Sequence, residues 1–95
     1  MTTTLGLVHL EFHVAQAASL KDKRRLVKGF RDRVASRFNV SIAEVDALDS
    51  RRRAVLAVAM VGNDRRYIEG ALQRITNAAA GHRDMILTES QTEWL

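Results

Sequence analysis

From Thr4 to Val14 the chain alternates. Gly6, Val8, Leu10, Phe12 and Val14 fall on one side, and Leu5, Leu7, His9, Glu11 and His13 on the other. A period of two over that length predicts a strand with one buried face. The period then changes to that of a helix, with Leu20, Val27, Phe30, Val34 and Phe38 as its apolar stripe. Ser19-Leu20-Lys21-Asp22 has capping-box spacing, so the helix opens after Ser19. "NVSIAEVDAL" and "AVLAVAMVG" predict two strands around the turn "DSRRR". Asp64 caps a second helix whose inner face is Ile68, Ala71, Leu72, Ile75 and Ala79, and Gly81 ends it in the C′ position. "MILTESQTEW" reads as a last strand.

Strand, helix, strand, strand, helix, strand is the ferredoxin-like βαββαβ order: an α+β fold with two helices on one face of a four-stranded antiparallel sheet. Right-handed crossovers then decide which loops share an end. The start of the first helix, the turn at Arg51, Arg52 and Arg53, and the exit of the second helix at His82 and Arg83 all fall at the end where the first strand finishes. Three basic clusters distant in sequence should therefore converge on one pole.

Ninety-five residues make a single domain spanning residues 1–95. With no cysteine, disulfides, thiolate nucleophiles and thiolate metal sites are excluded together, in keeping with a cytoplasmic location. No apolar run reaches membrane-helix length, and "MTTTLGLVHLEF" lacks the features of a signal peptide. The net charge of +4 is unevenly spread: residues 19–38 carry eight cations against Asp22 and Asp32, or +6, so the rest of the chain carries −2. An electrostatic footprint has this localised form.

Within that helix, Lys21, Arg24, Lys28 and Arg31 form one stripe flanked by Arg25. Arg33 and Arg37 suit a helix C-terminus. Lys21, Lys23, Arg24 and Arg25 instead crowd the positive end of the macrodipole, where each cation costs up to about 1 kcal/mol. Lys23 also falls close to the apolar stripe. Local rules broken repeatedly in one place point to a site, and phosphate at that helix end would turn the cost into a gain. The candidate nucleic-acid-binding residues are thus Lys21, Lys23, Arg24, Arg25, Lys28, Arg31, Arg51, Arg52 and Arg53.

Other candidates are weaker. His9 and His13 stand roughly 13 Å apart along a strand, too far to share a zinc ion whose ligands lie about 2 Å away. The two central strands lack exposed aromatics, which argues against base stacking on the sheet. The loop after the first strand, Ala15-Gln16-Ala17-Ala18, has no glycine with which to cradle a phosphate. Gly29 reads as a packing or tolerance site. Glu44 and Asp46 fall on one side of a probable edge strand, where charge discourages edge-to-edge pairing. No cofactor motif is present. The sheet face away from the helices would show Leu5, Leu7 and small aliphatic residues, a patch suited to self-association.

"SLKDKRR", followed by "RFNVSIAEVD" and "VGND", resembles the YlxP-like family of small bacterial proteins of unknown function, over nearly the whole chain. The resemblance implies a ferredoxin-like domain. It also implies a ribosome- or RNA-associated role, because genes of that family tend to lie among those for transcription termination, translation initiation and ribosome maturation. The matching positions are Ser19, Leu20, Lys21, Lys23 and Arg24, with Phe38, Asn39, Glu44 and Asp46 in the second block. Where the family is expected to carry an aromatic, this chain has Arg51-Arg52-Arg53. The expectation is a non-enzymatic accessory protein that binds structured, ribosomal RNA or a ribosomal particle by its phosphates. The alternative is a homodimeric module, paired through its open sheet face, that docks an acidic protein.

Overall fold

The computed structural model describes residues 2–95. Its elements are β1 (Thr4–His13), α1 (Leu20–Arg37), β2 (Ser41–Asp46), β3 (Arg53–Gly62), α2 (Arg65–Ala80) and β4 (Ile86–Trp94). All strand pairs are antiparallel, in the spatial order β2-β3-β1-β4, with long β1 and β3 at the centre. The chain therefore has the ferredoxin-like α+β fold anticipated from the element order. No helix among the described residues is long and apolar enough to cross a membrane.

Alternation along the central strands divides the sheet. Val8, Leu10 and Phe12 of β1 and Leu56, Val58 and Met60 of β3 are buried beneath the helices. Val27, Phe30 and Val34 descend from α1, and Ile68, Leu72 and Ile75 from α2, to close the core. Phe12 and Phe30 meet edge to face at 5.6 Å between ring centroids, an arrangement that adds to simple area burial. At Gly6 a Cβ would lie 2.9 Å from each of Ile68, Leu72 and Trp94, so only glycine lets α2 settle this close to β1.

Both helix starts are capped as the side chains suggest. Ser19 Oγ accepts from the Asp22 N–H at 3.2 Å, while Asp22 Oδ2 accepts from the Ala18 N–H. Asp64 Oδ1 accepts from the N–H groups of Arg66 and Tyr67.

Two local expectations are corrected and one feature is new. Gly81 does end α2, but at φ −90° it acts as the C-cap itself and not as a left-handed C′ residue. The left-handed residue is Ala47, φ 57°, just after β2. And a bulge between Glu44 and Asp46 breaks the register of β2 against β3. It separates two carboxylates that simple alternation puts on one side: Glu44 turns under α1, whereas Asp46 borders the open face.

Candidate nucleic-acid interface

Lys23 is the first surprise of the basic helix. One turn before Val27, it lies on the inner side of α1 and is completely buried. Its Nζ donates to Glu44 Oε2 at 2.8 Å and to the backbone carbonyl of Ala47 at 2.9 Å, with the Arg53 and Leu48 carbonyls at 3.3 and 3.4 Å. The left-handed turn at Ala47 aims that carbonyl inward. Lys23 is therefore not available to a phosphate, because its three buried N–H donors are taken up by these internal acceptors. The anion that offsets its unfavourable place near the helix N-terminus is internal: Glu44. This pair also links the two sequence blocks, one supplying the lysine and the other the carboxylate.

The hairpin is held to the start of α1 by this knot and by Arg51, whose guanidinium donates to the Ala18 carbonyl at 3.3 Å. Arg53 departs from the expectation. It is the first residue of β3 and points onto the open sheet face, where it grips Glu11 through two hydrogen bonds of 2.9 and 3.2 Å. That contact holds the Glu11 carboxyl below its usual pKa. Arg53 thus belongs to a different surface from Arg24, Arg25 and Arg51.

A concavity of about 610 Å³ forms a groove between α1 and α2. Arg25, Arg33 and Arg37 form one rim, eight and four residues apart along α1, and Arg74 and Arg83 stand opposite, with Asp84 the single acid. Leu26, Phe30, Val34 and Phe38 lie between them as an apolar floor. Gly29 falls in the middle of the α1 rim, where an added Cβ would meet nothing within 4 Å. At about 1.5 Å per residue, Arg25 to Arg37 spans roughly 18 Å.

Lys21, Arg24, Lys28 and Arg31 run along the opposite flank of α1, away from α2, as about 100° per residue requires. There Lys28 is held by Asp32 at 2.7 Å, and Arg25 on the near side approaches Asp22 at 3.6 Å. Both flanks of α1 are basic, but only the inner flank faces a second wall of arginines.

His82 closes the upper end of this groove. Its ring meets Phe30 edge to face at 6.0 Å, and its Nδ1 accepts from the N–H groups of Asp84 and Met85 at 3.0 and 3.1 Å. The proton of the neutral ring therefore sits on Nε2. Burial, and secondarily the cation of Arg33, push its pKa below 6.5, with Asp84 opposing. Below 6.5 the unfolded chain takes up this proton before the folded one, so stability should fall as acid carries the pH down through the folded pKa. We expect the urea midpoint to drop between about pH 7 and pH 5, and the drop to shrink in His82→Asn, whose amide oxygen still accepts from the chain. Equal pH dependence in the two proteins would show that His82 does not couple folding to protons here.

The open sheet face has the reverse sign. Glu11, Asp46, Glu89 and Glu93 stand there against Arg53, giving −3 if histidine is neutral. Since Lys23 and Glu44 cancel and the chain totals +4, everything outside this face carries +7. Further down, the face turns apolar: Leu5 pairs with Val61 and Leu7 with Ala59.

Comparison with known proteins agrees with the fold and adds no chemistry. Residues 5–92 match the family described as "Protein of unknown function (DUF503)". A Bacillus subtilis (strain 168) protein, "Uncharacterized protein YlxP", is 33% identical over 90 residues, covering 95% of this chain and 98% of that protein. Among solved structures, an amidase of the hydantoinase/carbamoylase family from Burkholderia phymatum superposes with a TM-score of 0.51 at 10% identity. That match covers 99% of this chain but 28% of the amidase, and shows the fold alone.

Proposed function

The chain belongs to DUF503, a family of proteins of unknown function, and we propose that it is a non-enzymatic accessory protein that binds structured RNA, ribosomal in the first instance, through backbone phosphates. The supporting observation is the division of charge: the open sheet face carries −3, everything else carries +7, and five arginines line a single groove. A polyanion is repelled by the first surface and drawn to the second. This reading assigns the principal contacts to Arg25, Arg33, Arg37, Arg74 and Arg83. Lys21, Arg24, Arg31, Arg51 and Arg52 flank them, and Lys23 and Arg53 serve internal contacts. If about four phosphates are engaged, log K should fall against log salt with a slope near −2.8 for unpaired RNA. Anisotropy of a labelled ribosomal RNA fragment should then show roughly 50-fold weaker binding for a fourfold rise in salt. A flat salt response would sink the reading.

The lower open face favours one further contact, with a second copy of the chain. Val61 is 61% exposed and lies across the register from Leu5, beside Leu7 and Ala59, so pairing would cover an apolar strip that water otherwise wets. Sedimentation at tens of micromolar should show a dimer that Val61→Lys dissociates; a strictly monomeric wild type would exclude it. Nuclease-resistant capture of an acidic protein would instead favour a docking module over RNA.

A further inference from the structure

We infer that the groove between α1 and α2 takes a short unpaired segment of RNA, so that the protein prefers bulged or single-stranded sites to continuous duplex; this rests on the RNA reading above. The rims and floor of the groove differ in chemistry. Guanidiniums stand on both rims, whereas the partly buried Leu26 and Phe38 present hydrocarbon between them. A duplex offers phosphates on a convex surface and keeps its bases stacked inside. It would meet the rims and leave the floor without a partner. An extruded base has flat faces that stack on aromatic rings and guanidinium planes, and its flanking phosphates would lie between the two rows of arginines.

The lower end of the groove is already arranged for this. The Arg74 guanidinium carbon lies over the half-buried Phe38 ring, 5.6 Å from its centroid, a cation–π pair whose guanidinium offers a further plane for a base to stack on. Gly29 keeps the α1 wall low at mid-groove. The volume of about 610 Å³ is that of a ligand site, and a span of roughly 18 Å suits a few nucleotides in file.

Anisotropy at one salt concentration can compare a blunt RNA duplex with the same duplex carrying a short bulge. The bulged RNA should bind about tenfold tighter or more, one stacked base being worth that much. Gly29→Leu should erase the preference by raising the α1 wall at mid-groove. It meets open space and replaces glycine with a better helix former, so its melting temperature should not fall. Equal affinity for the two RNAs overturns this inference and leaves the phosphate reading standing. Failure to bind either RNA overturns that reading, and the inference with it. Tighter capture of a Glu-rich amphipathic peptide than of the bulged RNA would reassign the groove to a protein.

Discussion

Lys23→Met is expected to destabilise the protein by about 3–5 kcal/mol, the usual cost of removing one partner from a buried ion pair. Methionine fills the volume but supplies no donor. Glu44 and the Ala47 carbonyl would lose contacts of 2.8 and 2.9 Å to a side chain that is itself fully buried, and each group left without a partner carries its own desolvation penalty. For a domain whose whole stability is about 5–15 kcal/mol, the loss decides whether the fold persists. Urea denaturation followed by circular dichroism measures it. Glu44→Gln should cost less, since an amide oxygen still accepts from the ammonium. Lys23→Met combined with Glu44→Leu should recover only part of the loss, because the carbonyls of Ala47 and Arg53 remain unanswered. A Lys23→Met protein within about 0.5 kcal/mol of wild type would mean that water reaches this site.

Lys23 also shows where sequence reasoning stops. Its place beside the apolar stripe is visible from spacing, and so is its unfavourable position near a helix N-terminus. What offsets that position lies 21 residues away in Glu44, and the route between them runs through a bulge. Period-two counting places Glu44 and Asp46 together; the bulge sends one inward and the other out. An internal partner and an external phosphate leave the same trace in the sequence, so the pattern alone could not choose between them.

The groove was half legible for a related reason. Arg25, Gly29, Arg33 and Arg37 are evenly spaced along the chain, and that ridge could have been noticed. Arg33 and Arg37 nevertheless satisfy the helix dipole, which removes any local reason to ask what else they face. The opposite rim comes from Arg74 and Arg83, beyond two intervening strands. By contrast, the gathering of α1's start, the hairpin and α2's exit at one end follows from strand order and crossover handedness. Arg51 reaching Ala18, and Arg25 sharing a groove with Arg83, agree with it. Topology transmitted backbone position well. It could not say that Arg53, one residue beyond Arg52, turns to the other face to meet Glu11.

Because α1 is basic on both flanks, charge reversal on each flank separates a groove from a merely cationic helix. Arg33→Glu, Arg37→Glu and Arg74→Glu together should weaken RNA binding roughly 100-fold at about 0.1 M salt, since each lost phosphate contact there is worth about fivefold in released counterions. The salt slope should flatten at the same time, from near −2.8 toward about −0.7. All three side chains are exposed, so the fold should survive. Lys21→Glu, Arg24→Glu and Lys28→Glu make the same change in net charge on the outer flank. There Lys28 already answers Asp32 at 2.7 Å, and no second wall stands opposite. That triple should cost less than about tenfold, through the weaker long-range field alone. If the two triples weaken binding equally, affinity follows net charge and the groove has no privileged part in it. If the outer triple is the more damaging, the RNA lies across the β2 side of α1, and the arginines facing α2 are spectators.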